Sequence, residues 1–250
     1  MAPKLEWSDA LGRMTRTEPL PEQGILTWDL VRTAILEGNG ADAIAWLRYI
    51  QTGENYVTPQ GRVMAGSVQN QLSYISRRWG EDHVEGALRY WRRKLIDAGD
   101  EPTYAMTPLE RLQHHTEMER ADYGGGAAGF TIVEESDRYV MTADRCSGCR
   151  QVRPNPPAPL PDGATTKPFS WSWGQTGIPY YTAHLCLWWE VMAIEDIGYP
   201  VRIHEIVDDD SQSCRVSFYK SPELIPESHF TRVGARRDPA RFRELGGASS

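Results

Sequence analysis

Between Thr27 and about Asp122 the apolar residues recur every three or four positions, which is the period of a helix with one buried face. Thr27 is a good N-cap for a first block carrying Leu30, Val31, Ala34 and Ile35, and Gly38-Asn39-Gly40 stops it. A second block from Ala41 to about Thr52 places Ile44, Leu47 and Ile50 on one side. Thr58-Pro59 opens a longer one with the stripe Val63, Met64, Val68, Leu72, Ile75 and Trp79, closed by Gly80. From about Glu81 to Ala98 the inward set is Val84, Ala87, Leu88, Trp91, Leu95 and Ile96, with Arg77, Arg78, Arg92, Arg93 and Lys94 mostly outward. Thr107-Pro108 caps a fifth, polar-looking helix through about Asp122 that holds His114, His115, Glu117 and Glu119.

After Gly124-Gly125-Gly126 the period changes to two. Phe130 and Ile132, then Tyr139 and Met141, alternate with polar residues across Glu135-Ser136-Asp137, which predicts a β-hairpin. Five prolines (154, 156, 157, 159 and 161) make the next segment a loop. Thr182 to about Ile197 reads as an apolar helix closed by Gly198. Val201, Ile203, Glu205 and Val207 form a strand, Asp208 to Ser211 turn, and Cys214, Val216 and Phe218 return. The expected fold class is α+β: a helical N-terminal layer packed on a C-terminal antiparallel sheet with one crossing helix. The expected divisions are a loosely ordered arm over 1–24, a helical region over 25–123, an α+β region over 124–220 and an extension over 221–250.

Charge narrows the partners. Lys plus Arg is 27 and Asp plus Glu is 34, a net charge of −7, which argues against nucleic acid. The richest basic run, Arg232, Arg236, Arg237, Arg241 and Arg243, is diluted by Asp238 and Glu244 and reads as a solvated helix face. No apolar run approaches the roughly 20 residues of a membrane helix, and the first residues lack an apolar leader core. The expected setting is the cytoplasm, where the four cysteines are thiols or metal ligands and not disulfides.

The candidate chemistry gathers in Lys167–Tyr199, which holds Trp171, Trp173, Trp188 and Trp189, four of the nine tryptophans. Trp171, Trp173, Tyr180 and Tyr181 could wall a small-molecule pocket, with Gly174 and Gly177 allowing close approach; the same residues could equally be plain core. Cys146-x-x-Cys149 is half of a zinc motif, and His184-x-Cys186 could complete it, giving Cys146, His184 and Cys186 as ligands of a divalent metal, zinc first. Buried thiols and a core histidine are the alternative. Glu190 lies in an apolar run, so it is either a general base or ligand orienter or half of a structural salt bridge. His115 and Glu119, one turn apart, could share a metal or a proton, or form a surface contact. No nucleotide cofactor is expected, because neither a phosphate loop nor a dinucleotide glycine pattern occurs.

The hairpin, Cys146, the helix, the strand pair, the acidic turn Asp208–Ser213 and Cys214-Arg215-Val216-Ser217-Phe218 together resemble a known domain type over about residues 128 to 220. It is the C-terminal half of the L-2-amino-thiazoline-4-carboxylate hydrolase-like proteins and the related 4-vinyl reductase small-molecule-binding domains. One cysteine of the zinc-binding pattern is missing; Ile203, His204 and Ile206 occupy its region. The resemblance implies a hydrolytic enzyme acting on a small molecule. A metal on Cys146, His184 and Cys186 would activate water, or the Cys146 or Cys186 thiolate would attack with His184 as base. A non-catalytic binder or sensor and an interaction module with a structural zinc are the alternatives.

Overall fold

Thr107 and Glu110 begin a helix that packs against the sheet. In this computed structural model, which describes residues 2–9, 13–52, 58–97, 104–123, 130–144, 163–206 and 213–243, they close a reciprocal capping box. The Glu110 amide donates to Thr107 Oγ1 at 3.3 Å and the Thr107 amide to Glu110 Oε2 at 2.7 Å. Among the described residues five α-helices precede it: α1 (Leu20–Gln23), α2 (Thr27–Leu36), α3 (Gly40–Thr52), α4 (Thr58–Trp79) and α5 (Asp82–Asp97). The capped helix is α6 (Pro108–Tyr123).

The N-terminal stretch, aperiodic in sequence, forms an antiparallel hairpin of β1 (Leu5–Ser8) and β2 (Arg13–Arg16). Its anchor is a cation. Arg16 is buried and donates to Glu18 at 2.8 Å, to the Ile25 and Glu22 carbonyls at 2.8 and 3.1 Å, and to Thr27 Oγ1 at 3.2 Å.

The second half holds a four-stranded antiparallel sheet in the order β3-β4-β6-β5: β3 (Phe130–Glu134), β4 (Arg138–Asp144), β5 (Ile203–Ile206) and β6 (Ser213–Tyr219). The α+β class read from the alternation is the class observed. Phe130, Ile132, Met141, Val216 and Phe218 pack with Leu112 of α6 in one core cluster. A larger cluster joins α4 and α5 to the Trp-rich stretch, Ile203 and Cys214.

The crossing helix runs α7 (Tyr180–Cys186), a π-helical turn (Leu187–Val191) and α8 (Met192–Ile197). It is apolar on nearly every side, as a helix passing through a core must be. Arg89 clamps Glu195 at 2.6 and 2.9 Å and Arg93 clamps Asp196 at 2.7 and 3.0 Å, tying α5 to α8 through paired guanidinium forks. A short α9 (Glu227–Thr231) follows the sheet. Among the described residues no helix is long and apolar enough to cross a membrane.

Four inward assignments and one outward one change. On α3 the buried residues are Ala43, Trp46, Tyr49 and Ile50, while Ile44 and Leu47 face outward, because Trp46 packs with Val31 of α2. Ile35 and Trp79 are exposed. Arg92, expected outward, is fully buried, its guanidinium 4.4 Å from the centre of the Trp189 ring.

A candidate functional site

Glu190 lies within the π-helical turn and is fully buried. Such turns add one residue to a helix and redirect its side chains, and they recur at functional sites. Four donors meet its two oxygens. Trp173 Nε1 donates to Oε1 at 2.8 Å and the His204 amide does so at 3.1 Å. Arg232 donates to Oε2 from Nε at 3.1 Å and from Nη2 at 2.6 Å. Arg232 Nη2 also reaches the His204 carbonyl at 3.0 Å. Burial raises the Glu190 pKa above the ordinary carboxylate value, and Arg232 opposes it. One carboxylate thus joins the crossing helix, β5, the turn at Trp173 and the segment after α9. Trp173 adopts φ +55°, left-handed and costly for a bulky side chain, and its bond to Glu190 helps to hold it there. Glu190 therefore occupies the salt bridge that the sequence left as one of its two readings.

Histidines surround this centre. His115, a candidate for sharing a metal or a proton with Glu119 or else for a surface contact, is buried with Glu119, which rules out the surface contact. Its Nε2 lies 3.8 Å from Glu119, and its Nδ1 lies 2.9 Å from an Arg202 donor. The Arg202 bond assigns the lone pair to Nδ1. His204 packs near His115 and Trp173, with ring centroids 6.4 Å away in each case. Arg202 stands 4.2 Å over the Trp189 ring. Burial first, then Arg202, pushes the pKa of both His115 and His204 well below 6.5, so both are neutral at pH 7.

His184 and Cys186 do not share a neighbourhood. His184 bonds through Nδ1 to the Tyr181 carbonyl and packs against Trp188 and Trp91, at 4.7 and 6.1 Å. Burial lowers its pKa to about 4. Cys186 is fully buried and donates to the Ser170 carbonyl at 3.3 Å. Burial and nearby Glu190 raise its pKa well above 9.0, which keeps it a thiol and unsuited to attack. Cys146 and Cys149 lie outside the described residues. Among the described residues, no three His, Cys, Asp or Glu side chains are grouped so as to hold a metal ion.

The aromatic candidates are placed as core. Trp171, Trp173 and Tyr180 are buried and belong to the large cluster, and Tyr181 is half-buried against His184 and Trp91. Tyr180 reaches Ser76 Oγ at 2.8 Å and Glu81 at 3.2 Å, and the Tyr181 amide donates to Gln69 Oε1 at 2.8 Å, so the stretch is fastened to α4 and the start of α5.

A cleft of about 440 Å³ opens elsewhere, and none of the candidate residues lines it. Its walls are Pro108 and Arg111 of α6, Tyr199-Pro200-Val201 after α8, Tyr219 to Ile225 after β6, and Phe242-Arg243. Gly198 brings the last wall in. At φ +93° it ends α8, and a Cβ there would lie 2.4 Å from the Arg241 carbonyl oxygen, so only glycine lets the C-terminal segment close in. The Arg243 amide then donates to the Ile197 carbonyl at 3.1 Å, and Phe242 meets Tyr199 edge-on at 5.6 Å. The basic run is no helix face: Arg232 holds Glu190, Arg237 donates to the Glu223 carbonyl at 2.7 Å, and Arg241 donates to the Glu195 carbonyl at 3.3 Å. Sequence reasoning missed this cleft because its walls come from four distant segments. The available signal was Gly198-Tyr199-Pro200, read only as a helix stop and strand start.

The chain matches no family model, and no curated protein or solved structure matches it.

Proposed function

We propose that the protein binds a small organic molecule in the cleft between the start of α6, the Tyr199–Val201 segment, the end of β6 and Phe242. The observation that carries this reading is the cleft itself: about 440 Å³, within the range of ligand sites, walled by Tyr199, Tyr219, Phe242 and three prolines together with a few charged side chains that can orient a ligand. Tyrosine and proline walls lose little side-chain freedom when a planar ligand orders them. The reading departs from the pocket expected in the Trp-rich stretch, whose side chains are occupied with core packing. Hydrolysis through Cys146 passes through a residue outside the described part of the chain, and nothing among the described residues favours it over binding.

Glu223 is exposed at the cleft mouth, so a bulky side chain there can fill the cleft without disturbing the core. Ligand-observed NMR with a set of small planar acids and neutral analogues should give hits on the wild-type protein. Glu223→Trp should abolish them while leaving Tm within about 2 °C, as expected of an exposed substitution. Hits that survive Glu223→Trp unchanged would place binding elsewhere.

A further inference from the structure

The cleft's electrostatics run against those of the chain. The protein carries a net charge of −7, yet the cleft lining holds Arg111, Lys220 and Arg243 against Glu223. Lys220 is held by Glu134 at 2.7 Å, so the local sum with that partner is three cations less two anions, or +1. A positive cleft in a negative protein concentrates anions. Arg111 is the deepest of these cations: only 4% exposed, on the second turn of α6, and placed beside the Tyr199 hydroxyl, with which it pairs. The planar fork of a guanidinium matches a carboxylate in shape and charge. The surrounding surface is aromatic and proline-rich: Tyr199 and Phe242 on one side, Pro108, Pro200 and Pro222 around them.

We infer that the ligand is a small planar monoanion, an aromatic or heterocyclic carboxylate, whose carboxylate meets Arg111 and whose ring lies between Tyr199, Phe242 and the proline walls. The inference rests on the binding reading above and specifies its chemistry. The Tyr199 hydroxyl orients the guanidinium from the side, and Arg243 adds positive charge at the mouth. A dianion would exceed the local balance, and a neutral ring would gain nothing from the positive charge of the cleft. Burial keeps the Tyr199 hydroxyl protonated and able to donate as well as accept.

The test compares benzoate with benzamide, its neutral near-isostere, on the 250-residue chain by NMR titration. Benzoate should saturate at about millimolar concentration, as expected for so small a ligand, and benzamide should bind at least tenfold more weakly. Arg111→Gln should weaken benzoate at least tenfold and leave benzamide unchanged. Because Arg111 is buried, its variant needs a folding check by circular dichroism. Arg243→Gln, at an exposed position, is the second variant and should weaken benzoate about twofold to fivefold, with a matching loss of salt dependence. Equal binding of both probes, insensitive to Arg111→Gln and Arg243→Gln, would overturn the anion inference while leaving a small-molecule cleft in place. Failure of both probes and of every compound in the wider set to bind at the cleft would overturn both readings.

Discussion

Lowering the pH from 7 to 5 should destabilise the fold by about 2 kcal/mol through His184 and by a smaller amount, eased by solvent and by Glu205 4.0 Å away, through His229, so Tm should fall by about 5 °C or more. Both are buried, and burial lowers each pKa to about 4. An unfolded histidine titrates near 6.5. Above that value neither state is protonated and the contribution is intact. As the pH falls from 6.5 towards 4, the unfolded chain takes up protons that the folded chain refuses, and stability falls by up to about 1.4 kcal/mol per pH unit for each histidine. His115 and His204 are depressed further and push in the same direction. Glu190, with its raised pKa, works in the opposite direction. Urea unfolding followed at pH 7, 6 and 5 checks the result. A free energy that is flat across this range would show that the histidines are not buried and neutral. His229→Asn, which removes one titrating group, should flatten the slope by up to one proton.

Arg232→Ala should cost about 3 kcal/mol. The substitution leaves the Glu190 carboxylate fully buried with Trp173 and the His204 amide as remaining donors, and an uncompensated buried charge is among the most costly defects a core can carry. The lower end of the usual range is expected because the Arg232 side chain is 23% exposed, which lets water reach the vacated position. Glu190→Gln combined with Arg232→Met removes both charges, so the double variant should be markedly more stable than the sum of the two single changes. Chemical denaturation of the four proteins gives the coupling directly. A loss below about 1 kcal/mol for Arg232→Ala would deny Glu190 its structural role and return it to the list of candidate bases.

Helix boundaries were legible wherever local chemistry sets them. Thr107-Pro108 with Glu110 forms its capping box, and Gly80 and Gly198 stop helices with positive φ. Phe130, Ile132 and Met141, with Val216 and Phe218, alternate as a sheet with a buried face requires. Burial of polar side chains was not legible. His115, Glu119 and the ion pair of Arg120 with Glu117 are all buried, and the Tyr49 hydroxyl donates to Glu117 at 2.6 Å. A helix that satisfies its charges internally carries no apolar stripe to betray it. The β1–β2 hairpin was hidden for the same reason, since Arg16 anchors it and Trp7 is exposed. The aromatic density of 167–199 was visible, but density alone does not separate a pocket from a core; the partners of Glu190, supplied from Trp173, His204 and Arg232, exist only in the folded chain.

Adding benzoate to ¹⁵N-labelled protein tests most directly where the ligand site lies. Saturable shifts are expected at the amides of Val201, Tyr219, Lys220 and Glu223, with the Trp173 indole, bonded to Glu190, and the Tyr181 amide, bonded to Gln69, unmoved. Shifts greatest at Trp173, Tyr181 and His184, with the cleft amides still, would contradict the account and return the site to the Trp-rich stretch.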